Sequence, residues 1–424
     1  MVRKILGNFG VRLLTAILNL LIAVIVSQYI GAVGKGEQSI VLTMIALISI
    51  FDNMVGGASI VYLTNKLKLK ELFAASYLWT FFIGFLTFLL LHFVELVPPK
   101  FVFSVVLLST ISSIISIHSS VLLGKEKLRH FNLLSFLIPV LTFSSLLLQF
   151  VLNWNRTVDA YVSALYVAYG LTFVLSLYFI RPYFKQKDLL EWGNTWKTFK
   201  SLFYFGCQNQ LAHVFQLLSF RISYFFLEKD CGPSQVGIYS NAVSVIESIW
   251  MISTSISLWQ YATISNSTDV QYTKKITEQL TKYGLFIAFL GILVLLFIPN
   301  SFFSWLFGKE FTDLNQLFWR LAPGIWVFNY ALIIGHYFSG HGKYYVNAIA
   351  SGIGLLITCI AASLFIPWLN IQGAAITASI SYFATSLVVI YYFRKEGANF
   401  VLFPSFNELK WNIGQLKQHL SKRN

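Results

Sequence analysis

Apolar segments about as long as a bilayer is thick recur along almost the whole sequence. A helix needs about 20 apolar residues to cross the hydrocarbon core of a membrane. Because a segment of this length is too apolar to lie in water, each one is predicted to be a transmembrane helix. By that length the sequence predicts twelve spans: Ile5–Ile30, Gln38–Leu63, Leu72–Leu96, Phe101–Leu123, Phe131–Leu152, Ala160–Ile180, Ser201–Leu227, Val236–Thr263, Leu280–Ile298, Leu314–Ser339, Tyr344–Trp368 and Ile371–Phe393.

The composition excludes an ordinary soluble domain. Of the 424 residues, 56% are hydrophobic and only 11% are charged, whereas soluble proteins carry roughly 25% charged residues. Most of the surface is therefore expected to face lipid. The net charge of +14 does not indicate a nucleic-acid partner, because the basic residues lie in short connections between apolar segments rather than on one face.

The distribution of Lys and Arg predicts how the chain is oriented. Most of the 31 basic residues lie at the N-terminus, after the even-numbered spans and in the C-terminal tail. Cytoplasmic connections of membrane proteins carry such an excess, so both termini are predicted to be cytoplasmic. The first span is too long for a cleaved signal peptide and is expected to remain in the protein. The connections after odd-numbered spans hold only Lys35, Lys100, Arg156, Lys229 and Lys309.

A weak internal repeat indicates two halves. At an offset of 201 positions, four polar or glycine positions recur in the same order around the same kind of apolar segment, and a repeat of this kind fixes an architecture. The predicted fold class is an all-α polytopic membrane protein, with twelve transmembrane helices in two pseudo-symmetric six-helix lobes. The repeated pairs are Asn8 with Asn209, Arg12 with His213, Gly36 with Gly237, and Ser39 with Ser240.

The repeat and the longest connection predict the domain boundaries. Residues 1–181 form the first lobe and residues 201–394 the second, with a basic cytoplasmic linker over 182–200. Residues 395–424 form a basic cytoplasmic tail. Its leucines at helical spacing are compatible with an amphipathic helix on anionic membrane lipids or with a frayed end.

The motifs of common enzyme classes are missing from the sequence. It contains no metal-ligand spacing, no glycine loop that would cradle a phosphate and no nucleophile elbow. Cys207, Cys231 and Cys359 are expected to be free thiols, since the first two lie near opposite ends of one predicted helix. We therefore expect neither a cofactor nor a resident metal, and no enzyme.

Ionisable residues at membrane depth are the functional candidates in the first half. Such residues are costly in lipid and usually face an aqueous cavity. Asp52 lies near the middle of span 2, where it is either a cavity or coupling carboxylate or the partner of Arg12 in a structural ion pair. Asn8 and Arg12 share one helix face, although Arg12 is close enough to the cytoplasm to snorkel there.

The second half carries a polar stripe in span 7. Asn209, His213 and Gln216 follow one another at helical spacing, which favours a face turned toward water. Arg221 lies two turns beyond His213 and is the candidate for holding an anionic head group, because a guanidinium matches phosphate geometry. The alternative for Arg221 is an interhelical ion pair with Glu247 of span 8, which has the same two interpretations as Asp52.

For several other residues in the spans, the sequence predicts structural roles or, for three aromatic residues, a conditional contact with sugars. His118 and His336 are isolated in their spans and are predicted to be structural. Gly56 and Gly57 permit either close helix packing, which is favoured, or a local break. Three aromatic residues of span 8 would stack on sugar rings if they face inward: Trp250, Trp259 and Tyr261.

Short motifs in the second half resemble those of a known transporter family. They are Gly237-Ile238-Tyr239-Ser240, Leu306-Phe307-Gly308-Lys309-Glu310-Phe311, Gly342-Lys343 and Gly373-Ala374-Ala375. In this order and spacing the chain resembles the polysaccharide-biosynthesis flippases of the multidrug/oligosaccharidyl-lipid/polysaccharide exporter superfamily. The resemblance covers nearly the whole chain.

The resemblance implies a function. It implies two six-helix lobes around a central cationic cavity, in the inner membrane of a bacterium, that translocate an undecaprenyl-pyrophosphate-linked oligosaccharide repeat unit by alternating access. Such flippases serve O-antigen, capsule or exopolysaccharide assembly, with a polysaccharide polymerase and a chain-length regulator as expected partners. The energy would come from an H⁺ or Na⁺ gradient, from the membrane potential or from consumption of the product outside. The alternative within the superfamily is a proton- or sodium-coupled multidrug exporter.

Overall fold

Every regular element of the computed structural model is helical over the described residues, which are 2–94, 96–154, 156–184, 192–265, 267 and 269–399. Within these ranges the side chains of 2–10, 12, 13, 208, 209, 252, 258, 259, 262 and 265 are not described. The α-helices are α1 (Val2–Asp52), α2 (Gly57–Leu63), α3 (Leu69–Phe93), α4 (Val102–Gly124), α5 (Leu128–Val151), α6 (Val158–Phe184), α7 (Trp192–Cys231), α8 (Pro233–Glu247), α9 (Trp250–Ser265), α10 (Val270–Phe297), α11 (Asn300–Phe307), α12 (Leu314–Gly340) and α13 (Tyr344–Lys395).

Sharp bends divide the longest helices where the sequence predicted connections. Helix α1 contains one non-helical residue, Gly31 (φ 76°), and α13 contains one, Asn370 (φ 49°). Gly232, 201 positions after Gly31, has the same kind of backbone (φ 83°) and separates α7 from α8. Positive φ angles are easily adopted by glycine, so the repeat places the same bend in both halves.

The helix lengths agree with a multi-pass membrane protein. Within the described ranges, eight helical segments are long and apolar enough to cross a bilayer. Two of these, Leu14–Leu63 and Tyr344–Lys395, have 50 and 52 residues, which is about twice the length that one crossing needs. The count of twelve spans and the cytoplasmic termini remain predictions.

Two helices begin well before the predicted spans. Helix α7 starts at Trp192 rather than at Ser201, so the described end of the predicted linker is helical. Helix α10 starts at Val270, after Asp269 accepts a hydrogen bond from the Tyr272 backbone N–H at 3.0 Å. Hydropathy reports only the part of a helix that lies in lipid, so these polar first turns were missed.

The two halves of the chain touch where α1 crosses α8. A Cβ atom on Gly36 would lie 1.8 Å from the carbonyl oxygen of Pro233, and one on Gly237 would lie 1.9 Å from that of Ala32. Just beyond, Ser39 Oγ donates to Ser240 Oγ at 2.8 Å. The repeat-related residues are therefore contact partners, which indicates that this crossing lies on the pseudo-symmetry axis.

The motif around Glu310 closes the same end of the bundle. The Glu310 carboxylate accepts the backbone N–H of Ala32 at 2.5 Å, directly after the Gly31 bend. Gln28 Nε2 donates to the Leu306 carbonyl at 2.9 Å. We call this end, defined by Gly31, Gly36, Gly237 and Glu310, the closed face.

The opposite end, which we call the terminal face, is held by Glu396 after the last helix. Its carboxylate accepts a hydrogen bond from the Tyr337 hydroxyl at 2.8 Å and forms an ion pair with Lys343 Nζ at 2.5 Å. Helices α12 and α13 are thereby tied together where both meet this face. The tail predicted over 395–424 lies largely outside the described residues, and the possible amphipathic helix over Asn407–Asn424 lies entirely outside them.

The glycine crossing predicts that a methyl group added at Gly237 destabilises the protein, whereas one added at Gly170 does not. Gly237→Ala should lower the free energy of unfolding by about 1–3 kcal/mol, because the clash is with backbone and cannot be relieved by a side-chain movement. Gly170→Ala is the matched control, since nothing lies within 4 Å of the added atom and alanine favours the helix. Melting temperatures of the purified variants measure both effects, and equal melting of the two variants would contradict the tight crossing.

Candidate functional site

A cavity of about 700 Å³ lies among α2, α7, α9, α12 and α13. Several lining residues stand beside helix ends: Tyr62 precedes the last residue of α2, and Tyr344 is the first residue of α13. The cavity therefore lies toward the terminal face, on the side of the bundle opposite the glycine crossing. The lining residues are Ala58, Ser59, Tyr62, Phe205, Ala212, His213, Gln216, Tyr261, Phe328, Ala331, Leu332, Gly335, His336, Ser339, Tyr344, Asn347, Ala350, Ser351, Thr385 and Val389.

The polar groups of the cavity are neutral hydrogen-bonding groups and aromatic rings. Asn347 Nδ2 donates to the Gly335 carbonyl and to Ser339 Oγ, both at 2.9 Å. His336 Nδ1 lies 2.8 Å from the Leu332 carbonyl, so this nitrogen carries a proton. No Lys, Arg, Asp or Glu belongs to the described lining. Such a wall suits a ligand rich in hydroxyl groups.

Part of the stripe predicted in span 7 lines this cavity. His213 and Gln216 are both in its wall, on α7. The side chains of Asn209, Asn8 and Arg12 lie outside the described part of the chain. The stripe is thus placed at the cavity for two of its three members, and the roles of the other residues remain proposals.

Arg221 and Glu247 form an ion pair away from the cavity wall. Arg221 Nη1 donates to Glu247 Oε1 at 3.1 Å and Nη2 donates to Oε2 at 2.8 Å. The Tyr382 hydroxyl donates to the same carboxylate at 3.2 Å. The two side chains are 22% and 13% exposed. Of the two interpretations of Arg221, the interhelical pair is the one present in this conformation.

Asp52 is held by a neighbouring helix at a break in the chain. Ser113 Oγ of α4 donates to Asp52 Oδ2 at 2.5 Å. The other carboxylate oxygen, Oδ1, is buried and has no hydrogen-bond partner among the described groups. Helix α1 ends at Asp52 and is followed by a short 3₁₀ turn, after which Gly56 has an extended backbone. The two glycines therefore break the span, contrary to the packing role that was favoured.

Some residues have a place that the sequence did not indicate. His336 was expected to be structural, yet it lines the cavity, as do Tyr344 and Asn347. The spacing of Leu332, Gly335, His336 and Ser339 on one face of α12 was the available signal. No signal marked the first turns of α13.

Other residues are structural. His118 lies between the Tyr77 hydroxyl at 2.5 Å and Ser176 Oγ at 2.7 Å. Trp250 is buried and donates to the Ile325 carbonyl at 3.0 Å, so it cannot stack on a ligand here. Tyr261 does line the cavity, and the Trp259 side chain is among those not described.

Comparison with known proteins supports the superfamily that the motifs indicated. No protein-family model matches the sequence. Over 226 residues, or 53% of this chain, the sequence is 27% identical to the capsular polysaccharide biosynthesis protein CapF of Staphylococcus aureus. The match covers 56% of that protein, so the chain spans about half the length of this curated relative.

Solved structures share the fold over nearly the whole chain. The lipid II flippase MurJ in an inward closed conformation aligns with 97% of this chain and 91% of its own, with a TM-score of 0.75 and 14% identity. An inward-facing multidrug resistance transporter of the MATE family and the MOP superfamily aligns with 90% of this chain and 94% of its own, with a TM-score of 0.67 and 15% identity. The Vibrio cholerae MATE transporter VcmN aligns with 93% and 96%, with a TM-score of 0.63 and 13% identity.

These comparisons confirm the resemblance and the fold. The chain is a multi-pass membrane protein with the fold of MurJ and of the MATE transporters, and its regular elements are helical throughout the described ranges. The structures that it resembles are transporters and a flippase, not enzymes. At these identities the comparison establishes the fold, while the substrate is a separate question.

The ion pair predicts a non-additive effect on stability. Arg221→Met leaves the Glu247 carboxylate buried without its partner, so the free energy of unfolding should fall by about 3–5 kcal/mol. The double variant Arg221→Met with Glu247→Leu should recover most of that loss, because no isolated charge remains. Thermal melting of both single variants and the double variant completes the cycle. Additive losses would show that the two groups do not depend on each other.

The cavity predicts a labelling pattern along α7. In a background with Cys207, Cys231 and Cys359 replaced by serine, single cysteines at 209, 213 and 216 should react with a polar maleimide. A cysteine at Val214, which is 6% exposed, should be protected because its side chain faces the protein interior. Uniform protection along the helix would refute a water-filled stripe.

Proposed function

We propose that this protein is a flippase that moves a lipid-linked oligosaccharide repeat unit across the inner membrane of a bacterium. The observation that carries the proposal is a cavity of about 700 Å³ toward the terminal face, lined by hydroxyl, amide and imidazole groups and by aromatic rings. Ligand pockets of small molecules occupy about 300–1,000 Å³, so a short glycan fits. The terminal face would be cytoplasmic, in agreement with the predicted orientation.

Two relatives support this substrate class. The MurJ structure is that of a lipid II flippase, and CapF is described as a capsular polysaccharide biosynthesis protein. The proposed substrate is an undecaprenyl-pyrophosphate-linked repeat unit of a capsule, O-antigen or exopolysaccharide. A polysaccharide polymerase and a chain-length regulator would act on the product, and the basic tail would bind anionic lipids.

The residues divide into groups with different tasks. His213, Gln216 and Asn347 would hydrogen-bond sugar hydroxyls, while Tyr261 and Tyr344 would lie against sugar rings. Asn209 extends the same helix face. No covalent bond changes, so the step is transport and not catalysis, and the prenyl tail can stay in lipid throughout.

Charged groups would serve the pyrophosphate and the energy source. Arg12 and Asn8 of α1 are the proposed contacts for the pyrophosphate as the substrate enters. Arg221 would join them after a conformational change that releases it from Glu247. Asp52 and Glu247 are the proposed coupling carboxylates for H⁺ or Na⁺, because Asp52 is buried, Glu247 is partly buried, and each accepts a hydrogen bond from a hydroxyl side chain.

A multidrug exporter is the second candidate. Its support is the likeness to MATE transporters together with the aromatic part of the cavity wall, which includes Tyr62, Phe205, Tyr261 and Phe328. Organic cations bind to aromatic faces. Export of such cations under a proton or sodium gradient would favour this candidate over the flippase.

Transport in reconstituted vesicles tests the proposal. Wild-type protein should move a lipid-pyrophosphate glycan, and the double variant Gln216→Leu with Asn347→Leu should move it at least about tenfold more slowly, since each lost hydrogen bond contributes about 1 kcal/mol. Arg320→Gln is the control, because the Arg320 guanidinium lies outside the described cavity lining and donates to the Gln316 carbonyl of its own helix. Wild-type protein that moves no lipid-linked glycan would refute the flippase.

A further inference from the structure

The lysine at the crossing of the two halves lies in an unusual environment. Lys35 is 5% exposed, although the sequence places it in a short connection that would normally be solvated. Its Nζ donates to Gln38 Oε1 at 2.6 Å. Within the described ranges, no carboxylate forms an ion pair with this ammonium group.

The nearby charges do not compensate Lys35. The charge that acts on it is the like charge of Arg221 on α7, whose own carboxylate partner is Glu247. Glu37 is two residues along the chain, but its carboxylate pairs with Lys100 at 3.6 Å. Arg221 therefore has a carboxylate partner, whereas the buried Lys35 ammonium group has none within the described ranges.

An excess charge in this position has a physical cost. A buried ion without a counter-charge costs several kcal/mol relative to water, so the closed arrangement is penalised by Lys35. That penalty disappears if the halves part and an anion binds the ammonium group. Lys35 lies next to Gly36, whose backbone touches Pro233 of the other half, so parting of the halves here would bring its ammonium group to the opening.

We propose that Lys35 is an anion-binding residue for a diphosphate, hidden while the closed face is shut and exposed when the two halves separate there. The inference rests on the proposed function, because it adds a second binding site for the substrate of the proposed flippase. Arg221 lies across the boundary and supplies the second positive charge of that site. The diphosphate binds the open arrangement only, so it shifts the population toward opening. The diphosphate of a prenyl lipid and a free diphosphate have the same recognition chemistry.

The test measures opening of the closed face directly. Ser240→Cys is the reporter, since Ser240 is 2% exposed and touches Ser39 across the boundary. In a background with the three native cysteines replaced by serine, reaction with a polar maleimide is measured alone, with inorganic pyrophosphate and with farnesyl diphosphate. Labelling should accelerate by at least about fivefold with an anion. Acceleration by both compounds would show that the diphosphate group is sufficient for binding. Acceleration by farnesyl diphosphate alone would show that the prenyl chain is also required.

Variants at two lysines decide whether Lys35 is responsible. Lys35→Met should abolish the acceleration, while Lys35→Arg keeps it. Lys309→Met, at an exposed lysine of the same face, should keep it as well, and it leaves the pair of Lys100 with Glu37 intact. Acceleration that persists in Lys35→Met, or that is missing when Lys35 is present, overturns the inference.

Thermal melting distinguishes a binding role from a structural one. Lys35→Met should melt at or above the wild-type temperature, because it removes an uncompensated buried charge and keeps the length of the side chain. A lower melting temperature would indicate that the lysine only stabilises the closed face, and would overturn the inference.

Vesicle transport separates this inference from the proposed function. Glycan transport that is unchanged in Lys35→Met would overturn the role of Lys35 and leave the flippase intact. Wild-type protein that moves no glycan, yet opens with an anion in a Lys35-dependent manner, would support the anion site and refute the flippase.

Discussion

The close approach of two backbones at Gly36 and Gly237 is the constraint on which the rest of the structure depends. Because neither residue has a Cβ, α1 and α8 cross at a distance that no other side chain permits. Hydrogen bonds then form around the crossing, from Ser39 to Ser240 and from Asn241 to Ser27 at 2.6 Å. The two halves also approach each other away from this crossing, where a Cβ atom on Gly206 would lie 2.1 Å from the Met54 carbonyl oxygen. The cavity lies mainly among helices of the second half.

The two halves share a framework but use their polar residues differently. In the first half, His118 is buried between Tyr77 and Ser176, away from the cavity. In the second half, polar groups of α7, α12 and α13 face the cavity. The repeat therefore preserves backbone bends and the crossing, while the side chains that would meet a substrate belong mainly to one half.

Charge is distributed unevenly along the path from the cavity to the closed face. The described cavity wall is neutral, whereas Arg221, Glu247 and Lys35 lie beyond it, within the protein. A buried charge remains in place only at a free-energy cost unless it is paired. Among the described residues Arg221 has a carboxylate partner and Lys35 has none. A substrate with a neutral glycan and an anionic diphosphate would meet the two environments in turn.

Much of the fold was determined by the sequence, since the membrane demands long apolar helices and a bend in a helix favours glycine. The bilayer length, the basic connections and the pairs Gly36 with Gly237 and Ser39 with Ser240 were all readable without coordinates. The contact partners of the polar side chains could not be predicted from the sequence. Whether Arg221 meets Glu247 or a ligand, whether Asp52 meets Arg12 or Ser113, and whether Lys35 is solvated depend on contacts between helices distant in the chain. Periodicity specifies the face of a helix on which a residue lies, but only packing decides what that face touches, and for that reason His336 and Lys35 acquired their significance from the tertiary structure.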